Sequence, residues 1–430
     1  MLIDEALEDW NPWWFSGSVS EDIVGVRREL LSDIEGYIGV PKVKVIVGVR
    51  RCGKSTLLYQ VIDLLIRRGF ASPNDVVLMN FDDARLATES VEEIYKTFLE
   101  LRKPEKIFLF LDEVHKARDW VSLARRLCDL KGGHVFITDS CSYYIPADYA
   151  RVLTGRKLEM ELYPFSFREF LKLKDVKLQP FGTEQRSILR GYLREYMDYG
   201  GFPEVHIYKG AWKRILLEYF DDIITKDVAS RFSADYEKVR NLGYYLISNI
   251  GQRITNRKIR NIFGLGLETV EKYMNYLEQV YLIFRVRRYS TRVKEQLIAP
   301  KKIYAIDTGM ANVLGFKVSE NLGPILENMV FLSLKRMGYK VFYLQVDDRE
   351  VDFVVVSNNK AIALINVSYT LQEEKTRKRE IENLIHGMKA LGVKKAFIVT
   401  WDEKETIRIG EKKIEIIPAY EWFLMDKIKR

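Results

Sequence analysis

Cysteine is scarce in this 430-residue chain. Cys52, Cys128 and Cys141 lie far apart, which excludes a disulfide framework and the paired spacing of a zinc site. Histidine is almost as rare, and His115, His134, His206 and His386 fall into no metal-ligand pattern. No apolar run approaches the ~18 residues of a membrane helix. The opening residues, MLIDEALEDW, are acidic and lack the apolar core of a signal peptide, so a cytoplasmic location is expected. Repeats and low-complexity tracts are also missing. Neither charge sign dominates: a net charge of +8 tolerates a nucleic-acid partner without demanding one. What remains is a globular composition, 47% hydrophobic and 30% charged, long enough for two or three domains.

The most informative stretch is KVKVIVGVRRCGKSTLLYQVIDLL, residues 42–65. A β-rich run feeds a loop that fits G-x-x-x-x-G-K-[ST], and an amphipathic helix follows. Glycines let the backbone fold around a phosphate, and the helix start points free N–H groups at it. Gly48, Arg51, Cys52, Gly53, Lys54, Ser55 and Thr56 are the candidate nucleotide-binding residues. Lys54 is expected to reach the β- and γ-phosphates, and the Ser55 hydroxyl to ligate Mg²⁺. Cys52 reads as a small residue that fits the loop rather than a redox switch.

A second strand, KIFLFLDE (106–113), ends in Asp112 and Glu113. Beside a P-loop the first acid is expected to hold Mg²⁺ and the second to orient or deprotonate the attacking water. A third strand, HVFITDS (134–140), ends in Thr138, a candidate γ-phosphate sensor or a plain strand end. Arg151 and Arg156 precede the strand KLEMELYPF. Either could stabilise charge in a phosphoryl transition state, from its own chain or a neighbour's, or lie in a solvated turn.

In order along the chain stand GVRRCGKSTLL, FLDEVHKARDW, FITDS, LTGRKLEMELYPFSFREFL, YGGFPEV and KKIYAIDTGMANVL. With these the chain resembles the prokaryotic AAA-type ATPases that join a P-loop domain to a restriction-endonuclease-like C-terminal domain of unknown function. The resemblance implies an α/β architecture in three parts. An AAA/ASCE-type P-loop domain would span 1–175, a helical lid and winged helix 176–305, and a small endonuclease-like domain 306–430. It also implies ATP and Mg²⁺ as cofactors. Asp139 departs from the glycine usual at that point. By the same resemblance, Ile23 and Val24 in EDIVGVRRELLSDI (21–34) would border the adenine, and Pro203 in GGFPEV would rest on it. Read without it, the two stretches are a helix start and a tight turn.

Residues 241–290 show helix, short helix, a turn at Gly264-Leu265-Gly266, helix and a β-like run, the pattern of a helix-turn-helix with a wing. Arg257, Lys258, Arg260, Lys272, Arg285, Arg287 and Arg288 surround it and could contact phosphates; the alternative is a packing module. Further on, REVDFVVV and AIALINV flank SNNK, a turn by composition. Nuclease folds of the implied type carry a helix Glu, a strand Asp and then Glu-x-Lys. Here Glu327 and Asp352 fill the first two positions, but Asn366 and Ser368 occupy the last two. Asn is a poor anionic ligand and Ser brings no cation, so a former nuclease is expected. The bland alternative is that Asp352 belongs to a hydrogen-bonded network. The expected activity is a nucleotide-switch ATPase whose output is nucleic acid, a protein partner or a second copy of the chain. The alternatives are a nucleotide-stabilised DNA-binding protein and an ATP-gated nuclease.

Overall fold

The computed structural model describes residues 2–130, 132–142, 154–177, 182–315 and 322–428. Two compact units divide the chain, Met1–Tyr163 and Pro164–Arg430.

In the first unit, β1 (Val43–Val47), β2 (Val76–Asn80), β3 (Phe108–Asp112), β4 (His134–Asp139) and β5 (Lys157–Glu161) form one sheet in the order β2-β3-β4-β1-β5. All neighbours run parallel. β1, β2 and β3 are buried at every position, as a sheet covered on both faces requires. β4 lies between the P-loop strand and the acid-ending strand. Because the strands are parallel, their C-terminal ends share one rim, with Val47 in register with Asp139 and Asn80 with Asp112.

The outer edge of β2 would present unpaired backbone groups. The segment WNPWW covers it. Asn11 donates from Nδ2 to Leu78 O (2.9 Å) and accepts from Leu78 N (2.6 Å), imitating a strand neighbour. Trp14 Nε1 donates to Val76 O at 2.8 Å.

The second unit begins earlier than the boundary expected at 175. Phe167 and Phe170 pack against Tyr196, and Phe165 N bonds to Gly201 O, so the chain has already entered the new core. No break falls at 305/306 either. Ala305 exchanges two hydrogen bonds with the amide of Asn328, which welds the expected second and third parts together. A small antiparallel sheet takes the order β6-β8-β7, from β6 (Arg253–Ile254), β7 (Ile283–Val286) and β8 (Lys301–Ala305). Helices Asn256–Phe263 and Leu267–Gln279 lie between β6 and β7 in the chain. The large sheet holds β9 (Lys340–Val346), β10 (Arg349–Ser357), β11 (Lys360–Val367), β12 (Lys395–Thr400), β13 (Glu405–Ile409) and β14 (Lys412–Pro418) in the order β13-β14-β12-β11-β10-β9. Asn358 and Asn359 join β10 to β11 with φ of 51° and 60°, the conformation a two-residue hairpin turn favours. Val354 and Leu364 pack with Leu384 and Met388 of helix Glu374–Leu391, while Phe353 approaches Phe331 of helix Gly323–Arg336.

The motifs YGGFPEV and AIDTGM meet in this unit. Asp307 is buried, accepts from Gly201 N at 2.6 Å and caps the next helix through Met310 N at 2.9 Å. Burial pushes its carboxyl up to about 6, against those hydrogen bonds. Gly200 has φ of +80°, and a Cβ there would stand 2.1 Å from an Asp307 oxygen. Gly200→Ala is therefore expected to cost about 1–3 kcal/mol through backbone strain and displacement of Asp307. Thermal or denaturant unfolding would measure it, and a change below ~0.5 kcal/mol would show that the junction yields freely.

Candidate nucleotide site

The loop after β1 is a backbone cradle. Arg51 and Gly53 adopt left-handed conformations, with φ of 69° and 97°. A Cβ on Gly48 would lie 2.1 Å from Leu162 O, so only glycine fits there. Cys52 is fully buried, its Sγ 3.4 Å from Leu162 O. Burial raises its thiol pKa, which favours the packing reading over a redox switch. Helix Lys54–Arg67 starts directly after Gly53, with Ser55 and Thr56 in its first turn.

Lys54 is buried, and its Nζ donates to Gly48 O (3.2 Å) and Val49 O (3.4 Å). It also stands 3.6 Å from Glu113 Oε1. Asp112 is 1% exposed, and burial, then the neighbouring Glu113, push its carboxyl up to about 6. Hydrogen bonds from Thr138 and from Ser55 oppose that rise. Thr138 Oγ1 donates to Asp112 Oδ1 at 2.5 Å and accepts from Glu113 N at 2.9 Å. Ser55, Asp112, Glu113, Lys54 and Thr138 thus converge from the P-loop helix, β3 and β4, though they are scattered along the chain. Glu113 is held with φ of 53°, a conformation uncommon outside glycine. Its Oε2 is buried without a hydrogen-bond partner among the described residues, 3.4 Å from His115 Nδ1. The same ring nitrogen lies 3.6 Å from Asp139 Oδ1.

Three residues that motif reading missed support this cradle. Arg28, 4% exposed, donates from Nη1 to Cys52 O at 2.7 Å and from Nη2 to Tyr163 O at 2.5 Å, tying the P-loop to the chain beyond β5. Gln60, on the P-loop helix, accepts from Arg28 N and donates to the carbonyls of Val24 and Val26. His115 is the third. The GVRR stretch carried a signal for Arg28, but nothing local marked its carbonyl partners.

Ile23 and Val24 lie on the short helix Glu21–Val24, which Gln60 tethers to the P-loop helix; Val24 is buried and Ile23 is half-buried. Pro203 belongs to the second unit, where it opens the helix Pro203–Ile207. Arg156 is not brought to the phosphate site of its own chain. Its carbonyl accepts from Val43 N, at the entry to β1, while the P-loop leaves the other end, about 16 Å along a strand rising about 3.3 Å per residue. Its guanidinium pairs instead with Asp129 at 2.7 Å and holds that carboxyl below its usual range. Arg151 lies outside the described residues.

Sheet order, cradle and converging acids define an AAA-type P-loop ATPase domain, and the family description "AAA domain" matches residues 40–171. Residues 190–321 and 322–422 match two domains of unknown function, DUF8612 and DUF4143. The chain belongs to the family of the uncharacterized protein MJ1544 of Methanocaldococcus jannaschii, with which it is 35% identical over 94% of this chain and 93% of that protein. An uncharacterized protein of Haemophilus influenzae is 30% identical over 93% of this chain and 98% of its own length. Among solved structures, the Walker-type ATPase paby2304 of Pyrococcus abyssi aligns at 12% identity with a TM-score of 0.44, covering 73% of this chain and 99% of that one. Among the described residues, no helix is long and apolar enough to cross a membrane.

Arg28→Ala should loosen the cradle while leaving the sheet intact. Hydrogen exchange of the 48–53 amides is expected to accelerate by about tenfold or more, for a loss of ~1.4 kcal/mol of local opening free energy. Unchanged exchange there would remove Arg28 from this role.

Proposed function

We propose that the protein is an ATP-binding, Mg²⁺-dependent ATPase that acts as a nucleotide switch, with the second unit as its output. The observation that carries the reading is the convergence of Ser55, Asp112, Glu113, Thr138 and Lys54 on one rim of the parallel sheet. Lys54 exchanges its contacts with the Gly48 and Val49 carbonyls for phosphate oxygens, and loop N–H groups cradle the rest. Ser55 and Asp112 already share a hydrogen bond, and they are the oxygen donors that would hold Mg²⁺. Bound there, Mg²⁺ supplies positive charge against the β- and γ-phosphates. A cation beside Asp112 favours its ionised form, reversing the effect of burial. Glu113 keeps an oxygen without a hydrogen bond, 3.4 Å from His115 Nδ1, and this oxygen is the one that would accept a hydrogen bond from the attacking water. Thr138 fixes both acids, Asp112 through its carboxylate and Glu113 through its backbone. Ile23 and Val24 are assigned to the adenine by resemblance, with the tether from Gln60 to Val24 in support.

The output is assigned to a winged helix formed by helices Asn256–Phe263 and Leu267–Gln279 with the small sheet. The order of elements supports this, and so does the order β6-β8-β7. Its basic residues divide into two groups. Arg285 is spent on Glu278 (2.6 Å) and Glu271 (3.0 Å), and Arg288 bonds to Gln345 O, so neither is available to a partner. Tyr289 N and Tyr343 N also exchange bonds with the carbonyls of Tyr343 and Arg287, seating the wing against β9. Helix Asn256–Phe263 is different. Arg257, Lys258 and Arg260 are exposed, and among the described residues none makes an ion pair. That face suits the phosphate backbone of a nucleic acid, bound without regard to sequence.

Two experiments test the reading. Lys54→Ala should abolish ATP binding in a filter or fluorescence assay, whereas Glu113→Gln should keep binding and lower turnover roughly a hundredfold or more. Equal turnover by wild type and Glu113→Gln would take Glu113 out of the water-orienting role. For the output, duplex affinity should fall with salt, and Arg257→Ala with Arg260→Ala should flatten the log–log salt slope by about 0.9 per lost phosphate contact. Binding indifferent to both would leave the winged helix as a packing module.

A further inference from the structure

Glu327 and Asp352, the two carboxylates left over from the nuclease-like pattern, face a buried ammonium. Lys302 lies on β8 with a side chain 3% exposed. Its Nζ stands 2.9 Å from Asp352 Oδ1, 3.0 Å from Glu327 Oε1 and 2.6 Å from Glu350 Oε1. An ammonium has three donors, and here each finds a carboxylate at charge-assisted hydrogen-bond distance. Tyr304, two residues along the same strand and so on the same face, donates to Glu327 Oε1 at 2.6 Å. The second oxygen of Asp352 accepts from Val367 N at 2.9 Å. Asn366, where the nuclease pattern has Glu, accepts from Asp352 N at 3.2 Å and donates to Glu380 Oε2 at 2.6 Å.

The fit for a divalent ion is poor for a specific reason. Mg²⁺ binds carboxylate oxygens at about 2.0–2.1 Å and keeps several waters. Here the oxygens that would turn toward it are engaged by Nζ. An incoming ion would have to displace the ammonium yet remain beside it, because Lys302 is fixed to β8 and its side chain is only 3% exposed. Two cations confined in one buried cluster repel strongly. The electrostatics agree. Burial pulls the Lys302 ammonium toward its neutral form, but Asp352, Tyr304, Glu327 and Glu350 outweigh it and hold the ammonium well above its usual range. Burial and Asp352 push Glu327 up to about 7, with Lys302 opposing. Among the described residues, no cluster of three or more His, Cys, Asp or Glu side chains is placed to hold a metal ion.

We propose that Lys302 is a resident cation that takes the place of a divalent metal among Glu327, Glu350 and Asp352, closing this carboxylate site to metal and locking the small sheet onto the large one. The lock has a second strand behind it: Arg253 of β6 stands 3.4 Å from the other Glu350 oxygen and donates to Gln345 Oε1 at 2.7 Å. The site is thereby an internal ion cluster, and a nuclease reaction there lacks its metal as well as its Glu-x-Lys. The inference is independent of the nucleotide reading, because every residue in it lies in the second unit.

The test is Mn²⁺ binding by the full-length protein without nucleotide, followed by electron paramagnetic resonance of the free ion. Wild type and Glu350→Gln are expected to give superimposable titrations. Lys302→Met removes the charge at nearly constant volume and should gain an additional Mn²⁺ site. The gain should vanish when Glu350→Gln is added, and Mn²⁺ should raise the melting temperature of Lys302→Met but not of wild type. A Mn²⁺ site in wild type that Glu350→Gln removes would overturn the proposal, as would a folded Lys302→Met that gains none. Should Lys302→Met not fold, the wild-type comparison decides alone. Superimposable titrations support the resident cation, and a site lost in Glu350→Gln overturns it.

Discussion

A carboxylate taken out of water has to be met by donors or cations, because the desolvation of an unpaired charge would exceed the net stability of a domain. This constraint organises both units. Asp112 is met by hydroxyls from Thr138 and Ser55, which draws β4 and the P-loop helix to the end of β3. Asp307 is met by backbone N–H groups of Gly201 and Met310, which draws two distant turns together. The trio Glu327, Glu350 and Asp352 is met by Lys302. In each case the element that supplies the partner is positioned by the need of the acid.

The nucleotide site and the carboxylate cluster solve the problem differently. At the P-loop rim the acids are only partly satisfied. Asp112 remains with its pKa raised, and Glu113 keeps an oxygen without a hydrogen bond. Such incomplete satisfaction is the state a site should have if a cation and a water complete it during a reaction cycle. In the second unit the carboxylates point at an ammonium that belongs to the chain, and little is left for a ligand to supply. The same residue type is thus left with unfilled acceptors in one unit and forms an ion cluster with a lysine of the chain in the other.

Much of the nucleotide site was legible because its chemistry is local. Gly48 to Ser55 form one loop and helix start, whose spacing is set by the size of a phosphate, and Asp112-Glu113 end a strand whose five buried residues announce themselves. The hairpin turn at Asn358-Asn359 was equally local. Arg156 illustrates the converse. A basic residue beside a strand does not reveal which end of a parallel sheet it occupies, and here it is the end away from the P-loop.

By itself the sequence determined the P-loop motif, the acid pair, the alternation of strands and helices and the lack of a Glu-x-Lys pattern at Asn366 and Ser368. Each is encoded by residues within a few positions of one another. Only the tertiary structure decided that Arg28 clamps the loop from 24 positions away, and that Asn11 covers the β2 edge from 67 away. It also decided that Asp352 faces Lys302 across 50 positions. Those pairings depend on which strand lies beside which and which face each side chain takes, and a buried charge finds its partner only after the sheets have been laid.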